Sequence, residues 1–237
     1  MASIKLTKEE LEKISADDYE GKPIRIFISY SSDDKSLAGQ IKLMLERYGL
    51  SVFLAHDDIP PLRDWQEEIS NNLTVCDVFI PVLTRSFRES NWTDQEIGMA
   101  FGLKKMIIPL KVNTDPYGFI LKLQACKLDV NNPRRSCLKI IKVLRDSEFV
   151  ESLIDCLVRA LENACDFDDA NKVIEELKDF ENLKEEQINQ IIRTSIRNNQ
   201  FRMCSTGKTF LSLIIEKQAS LIDPFLLETY NKVKDSF

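Results

Sequence analysis

The sequence is poor in the residues on which nucleophilic and metal-dependent catalysis usually rests. It has one histidine, His56, which leaves little room for Ser-His or Cys-His nucleophilic catalysis and argues against a hydrolase triad. No two of the six cysteines form a Cys-x-x-Cys pair, so the spacing of a zinc site or of a thioredoxin-like redox pair is absent. The cysteines, interpreted as buried free thiols, are Cys76, Cys126, Cys137, Cys156, Cys165 and Cys204. We therefore predict no metal site and no bound cofactor.

Long apolar runs are also missing. No run approaches the ~20 residues that cross a bilayer, and residues 1–19 mix Lys, Glu and Asp where a signal peptide needs an apolar centre. A cytoplasmic protein without a membrane partner is expected. The formal net charge of -6 argues against a nucleic-acid partner, which normally meets a basic surface, although a local basic patch is compatible with this total.

Short apolar, β-branched runs alternate with helical patterns from Ile24 onward. The helical patterns repeat apolar residues at helical spacing, as at Leu37, Ile41 and Leu45, whereas the strand runs are almost continuously apolar. The predicted strands are 24–30, 51–54, 78–83 and 106–112, with a weaker fifth strand at 125–130, and the predicted helices are 35–48, 65–73, 92–103 and 149–164. The alternation predicts an α/β fold of flavodoxin-like type, with a parallel sheet of about five strands flanked by helices.

The flanks of this region are predicted to be helical. Residues 1–22 form a lead-in, whose sequence Thr7-Lys-Glu-Glu10 fits a capping box. The α/β domain is placed at 23–165 and an all-helical C-terminal region at 166–237, with helices at 170–180, 184–197, 209–217 and 224–233. Within it Gly207-Lys208-Thr209 is similar to the end of a phosphate-binding loop, but Arg202 stands where the first glycine is required, so a helix entry is favoured.

Three polar segments follow predicted strands and should meet at the carboxyl edge of the sheet, where cofactors usually bind. They are Ser29-Tyr-Ser-Ser-Asp-Asp34, Asp57-Asp-Ile-Pro-Pro-Leu-Arg-Asp64 and Trp92-Thr-Asp-Gln-Glu96. Together with the strands before them, these segments resemble the Toll/interleukin-1 receptor (TIR) domain, and specifically its prokaryotic, NAD-cleaving branch. The resemblance covers roughly residues 23–130.

The resemblance implies an active site. Glu96, in the pattern Trp92-x-x-x-Glu96, corresponds to the catalytic acidic residue of enzymatic TIR domains. The substrate-binding residues implied are Tyr30, Ser31, Ser32, Phe53, Asp57, Arg63 and Trp92. Some NAD-cleaving relatives carry arginines after the first strand where this chain has serines, which leaves Arg63 or Lys111 as contacts for the phosphates.

Each segment also has a purely structural interpretation. Ser32 or Asp33 can cap the helix after the first strand, and Asp64 with Glu67 or Thr93 with Glu96 can form a capping box. Trp65 is interpreted as a packing residue. The segment 115–119 can form a wall of the pocket or a plain turn.

The function implied by the resemblance is an NAD+ glycohydrolase or cyclase in a cytosolic defence or signalling response. NAD+ is then the substrate, and nicotinamide leaves with ADP-ribose or cyclic ADP-ribose as the second product. Self-association through TIR contacts at 57–64 is expected, and the helical tail at 166–237 is expected to mediate or sense this assembly. The alternative is a non-enzymatic TIR adaptor. A phosphoacceptor receiver domain is disfavoured because the third strand ends in Leu83-Thr84-Arg85, without the aspartate that accepts phosphate.

Overall fold

A computed structural model describes residues 6–15, 19–55 and 65–235. The chain divides into two compact units. The described residues of 23–46 and 50–153 form an α/β unit, and those of 1–22, 47–49 and 154–237 form a helical unit. The domain boundary placed at 165/166 from the sequence stays a prediction. The two compact units of the structure divide at Ile154.

The sheet of the α/β unit is parallel throughout. Its strands are β1 Arg25–Ser29, β2 Ser51–Leu54, β3 Val78–Leu83, β4 Met106–Ile107, β5 Leu110–Lys111 and β6 Cys126–Lys127. The strand order is β2-β1-β3-β5-β6, and β4 pairs with β3. The predicted parallel sheet flanked by helices is therefore confirmed.

The predicted strand 106–112 is divided into β4 and β5. Both parts pair with β3, through Val78 with Met106 and through Val82 with Leu110. Pro109 stands between the two parts, and a proline has no amide hydrogen to donate to a sheet ladder. The interruption is thus a local consequence of one residue.

The helices of the described residues include those that the sequence predicts, most of them with ends shifted by a few residues. Three further helices lie where none was predicted, namely Arg85–Glu89, Pro133–Arg145 and Asn199–Met203. In chain order, the helices are α1 Lys8–Ser15, α2 Lys35–Glu46, α3 Trp65–Val75, α4 Arg85–Glu89, α5 Asn91–Gly102, α6 Pro133–Arg145, α7 Val150–Glu162, α8 Phe167–Leu177, α9 Glu185–Arg197, α10 Asn199–Met203, α11 Ser205–Gln218 and α12 Pro224–Val233. Short 3₁₀ helices span Ser32–Asp34, Gly118–Ile120 and Ala219–Leu221.

A row of phenylalanines crosses the sheet on one of its two faces. Phe27 on β1 is in register with Phe53 on β2 and Phe79 on β3. Its ring centroid lies 5.3 Å from that of Phe53 and 5.7 Å from that of Phe79. Because side chains two residues apart on a strand share a face, Ser29 points to the same face as Phe27.

The helical unit includes the N-terminal helix. The predicted capping box at α1 is confirmed, since the Thr7 amide donates to Glu10 at 2.7 Å and the Glu10 amide donates to the Thr7 hydroxyl at 3.2 Å. Helix α1 contacts α9, and Lys232 of α12 pairs with Glu10 at 3.0 Å. The predicted lead-in helix is thus packed within this unit.

Gly207 is a packing glycine in the first turn of α11. A Cβ atom there would lie 2.1 Å from the Phe201 carbonyl oxygen and 2.9 Å from the Cys204 sulfur. The Gly207 amide donates to Cys204 Sγ at 3.3 Å. The glycine of the Gly-Lys-Thr sequence therefore permits close helix packing, as the helix-entry interpretation requires.

Gly207→Ala is expected to destabilise the helical unit by a net ~1–2 kcal/mol, because the cost of overpacking exceeds the helix propensity gained. Urea unfolding followed by far-ultraviolet circular dichroism measures this loss. Lys208→Ala, at the exposed neighbouring position, is the control and should leave the midpoint unchanged. Equal midpoints for both variants would contradict the packing role.

None of the six cysteines, all of which lie in the described part of the chain, forms a disulfide, as predicted. The prediction that all are buried is wrong for two of them, because Cys165 is exposed and Cys126 is half-buried. No helix within the described ranges combines the length and the apolar character needed to cross a membrane.

Candidate active site

Ser29 at the end of β1 and Glu96 on α5 meet inside the α/β unit. Both side chains are fully buried. The Ser29 hydroxyl donates to Glu96 Oε2, and the Trp92 indole donates to Glu96 Oε1 at 3.0 Å. Each carboxylate oxygen therefore has its own donor, and the two donors fix the plane of the carboxyl group.

The interpretation of Thr93 and Glu96 as a capping box is wrong. Helix α5 begins at Asn91 with Ser90 as its N-cap, so Thr93 already lies within the helix. The Thr93 hydroxyl lies 2.6 Å from the Phe87 carbonyl oxygen and 2.8 Å from that of Ser90. Glu96 thus belongs to the second turn, where its carboxylate has no free helix amide to satisfy.

Burial raises the pKa of Glu96 to about 7, and the hydrogen bonds from Ser29 and Trp92 partly offset this rise. Within the described residues Glu96 forms no ion pair, so its negative charge is not neutralised by a Lys or Arg. A buried carboxylate that ionises near neutral pH is a common feature of functional sites. Here it can stabilise a cation that forms beside it.

Two tryptophans stack beside the carboxylate. The ring centroids of Trp65 and Trp92 lie 4.2 Å apart with an interplanar angle of 31°. The interpretation of Trp65 as a packing residue stays a prediction. Both rings remain partly exposed, so the pair offers an aromatic surface next to Glu96 on which a planar ring can stack.

The residues after β1 differ strongly in exposure. Tyr30 is fully buried, Ser31 is buried and Ser32 is exposed. Ser31 precedes the 3₁₀ helix Ser32–Asp34 without a side-chain capping bond, and Asp34 accepts a hydrogen bond from the Thr84 hydroxyl at 2.6 Å. The predicted substrate contacts of Tyr30, Ser31 and Ser32 stay predictions. Ser32 is the most exposed of the three residues.

Other predicted site residues are only partly placed. Asp57 and Arg63 lie outside the described residues, with the rest of 56–64. Phe53 is half-buried beside Phe27 in the phenylalanine row. Lys111, the alternative phosphate contact, forms an ion pair with Asp115.

The segment 115–119 is joined to the first turn of α5. The Tyr117 hydroxyl donates to Asp94 at 2.8 Å, and the Arg88 guanidinium lies 5.2 Å from the centre of the Tyr117 ring. These contacts attach the segment two residues from Trp92. A pocket wall and a plain turn are both compatible with these contacts, and both stay predictions.

Ser29 is not among the site residues predicted from the sequence. Its signal was present, since Ser29 is the polar residue that ends the apolar run Ile26-Phe-Ile. A fully buried hydroxyl group costs free energy unless it forms a hydrogen bond, so a serine at the end of a buried strand indicates a hydrogen-bond partner. The partner, 67 positions away, was not visible in the sequence.

Similarity to known proteins is found over part of the chain. The family model described as "TIR domain" matches residues 26–138. Among similar solved structures is the TIR domain of the Toll-related receptor TRR-2 from the lower metazoan Hydra magnipapillata, with 21% sequence identity and a TM-score of 0.42. That similarity covers 51% of this chain and 97% of the other. No curated protein matches the sequence.

Proposed function

We propose that residues 26–138, which the TIR-domain family model matches, form a TIR domain that cleaves NAD+ at the bond between nicotinamide and ribose. The proposal includes a role in defence or signalling, with activity promoted by TIR–TIR contacts. The observation that carries it is the buried Glu96 carboxylate, held by two donors and without an ion-pair partner among the described residues.

The chemistry needs little more than such a carboxylate. Nicotinamide leaves as a neutral molecule from a cationic ring, so the leaving group requires no proton. The bond electrons pass to the nicotinamide nitrogen, and the ribose carbon becomes an oxocarbenium-like cation. A fixed negative charge next to that carbon stabilises the cation and can also orient the ribose hydroxyls.

A nucleophile completes the reaction. Attack by water gives ADP-ribose and releases one proton, whereas attack by an adenine nitrogen of the same molecule gives cyclic ADP-ribose. The aromatic pair Trp65 and Trp92 lies where a planar base can stack during either reaction.

Incubation of the full chain with NAD+ at several protein concentrations tests the proposal. Nicotinamide and every ADP-ribose isomer are separated by chromatography and identified by mass. We expect nicotinamide to appear in equal amount to the second product, at a rate per molecule that rises with protein concentration. Absence of nicotinamide at every concentration, with crowding agent present, would reject the enzyme.

An adaptor is the second candidate, and an apolar surface favours it. The rings of Phe101 and Phe119 stack at 5.1 Å and are 50% and 65% exposed, and Leu121 is 67% exposed. Exposed apolar patches of this kind often mark protein interaction sites. The adaptor becomes the preferred function if the chain binds other TIR domains but releases no nicotinamide.

A further inference from the structure

Charge is strongly segregated along the chain. The whole chain has 32 Lys and Arg residues and 38 Asp and Glu residues. Residues 98–145, by contrast, contain ten Lys and Arg residues but only two Asp and Glu residues. This segment lies entirely in the α/β unit and runs from the second half of α5 through β6 and α6. A strongly basic surface on an acidic protein attracts anions to one place.

Three of these cations converge on one concave surface. A cavity of about 420 Å³ is lined by Lys127, Leu128, Asp129, Val130, Arg135 and Lys139. Lys127 ends the edge strand β6, and Arg135 and Lys139 lie one turn apart on α6. The Lys139 ammonium donates to the Lys127 carbonyl at 3.0 Å, which fixes it near the strand end with two hydrogens left to donate.

These cations are not neutralised by the protein. Lys127, Arg135 and Lys139 form no ion pair with any residue in the described part of the chain. By contrast, lysines elsewhere pair closely, as Lys178 does with Glu175 at 2.6 Å. The one carboxylate that lines the cavity, Asp129, accepts the amides of Asn131 and Asn132 at 3.1 and 3.2 Å.

We propose that this cavity binds a ligand with two or more linked phosphate groups. A guanidinium can contact one phosphate through two parallel hydrogen bonds, and two ammonium groups supply point charges for the neighbouring phosphate. Side chains one helical turn apart are separated by ~5–6 Å at Cβ, which suits adjacent phosphates. The cavity volume lies in the range of small-molecule sites. No lining residue belongs to the Glu96 site, so the inference does not rest on the proposed function.

Two sources present this chemistry, namely a soluble diphosphate and a phosphorylated lipid headgroup. Inorganic pyrophosphate, titrated into the full chain by calorimetry, is the soluble probe. Sedimentation with phosphatidylcholine vesicles, with and without phosphatidylinositol bisphosphate, is the membrane probe. Binding of pyrophosphate without vesicle binding indicates the soluble source, and vesicle binding that pyrophosphate displaces indicates the headgroup.

Variants on α6 distinguish a built site from general charge attraction. Arg135→Ala should weaken binding by about 10- to 100-fold, as expected for loss of a charge-assisted contact. Arg134→Ala removes the same charge from an exposed neighbour that does not line the cavity. This variant should change the affinity less than about threefold, because salt screens the attraction between an exposed charge and a distant ligand. Circular dichroism verifies that both variants fold.

The proposal is overturned if the parent chain binds neither probe. It is also overturned if Arg134→Ala and Arg135→Ala lose affinity equally, since that result would describe a diffuse basic surface. Glu96→Gln should bind pyrophosphate as the parent does, which separates this site from the one that cleaves NAD+.

Discussion

Glu96→Gln is expected to lower the rate of nicotinamide release by more than about 100-fold while the protein remains folded. Loss of a charge-assisted interaction of ~1.5–3 kcal/mol slows a reaction by roughly 10- to 100-fold, and loss of ribose orientation adds to this. Glutamine has almost the same volume and can still bond to Ser29 and Trp92. It carries no charge with which to stabilise the ribosyl cation.

The control for this variant is Glu89→Gln, at the exposed end of α4. It makes the same chemical change seven positions away, and it should retain the parent rate. Rates are compared at saturating NAD+ and equal protein concentration, because self-association is part of the proposal. Parent-like turnover by Glu96→Gln would show that the buried carboxylate is structural.

The pH profile gives this prediction a second readout. Because burial raises the pKa of Glu96 to about 7, the active carboxylate forms only as the pH rises through neutrality. The rate of the parent should therefore increase between about pH 6 and pH 8. Any residual rate of Glu96→Gln should be independent of pH over the same range.

Glu96→Gln is also expected to stabilise the protein at alkaline pH. In the unfolded chain the carboxyl group ionises near 4.5, whereas in the folded chain it holds its proton until about pH 7. Between these values the folded state binds more protons, so a rise in pH weakens the fold. Above pH 7 the full cost of a buried charge is present, on the order of 3 kcal/mol.

The difference between variant and parent is the quantity to measure. From pH 5.5 to pH 8, the free energy of unfolding of Glu96→Gln should rise relative to the parent by about 2 kcal/mol. Urea unfolding followed by tryptophan fluorescence reports on the relevant unit, since both tryptophans, Trp65 and Trp92, lie there. Glu89→Gln should show no such pH dependence, and a constant difference for Glu96→Gln would mean that Glu96 ionises normally.

Much of the fold could be predicted because its signals are local. The strands Ser51–Leu54 and Val78–Leu83 and the helix Pro224–Val233 have the predicted bounds. Apolar periodicity and capping residues act over a few positions, so they can be recognised without tertiary structure. Three helices of the described residues were missed. Arg85–Glu89 and Asn199–Met203 have five residues each, which carry too little periodicity. Pro133–Arg145 begins with a proline, a residue that is typical both of loops and of helix starts.

The candidate site was predictable only in part. Trp92 and Glu96 follow from a short motif, and the structure brings them into contact at 3.0 Å. The sequence left Glu96 with two interpretations, catalytic residue or helix cap. The position of the N-cap at Ser90 excluded the second, because the exact start of a helix depends on how the chain enters it.

The sequence by itself determined the alternation of strands and helices that forms a parallel sheet, the acidic total charge and the candidate carboxylate, since each is a property of neighbouring residues or of composition. Tertiary structure alone decided that Ser29 meets Glu96 across 67 positions, and that Lys127 converges with Arg135 and Lys139 on one cavity. Burial, and with it the raised pKa of Glu96, also belongs to the tertiary structure. Desolvation depends on atoms brought together from distant parts of the chain, and no local pattern encodes that proximity.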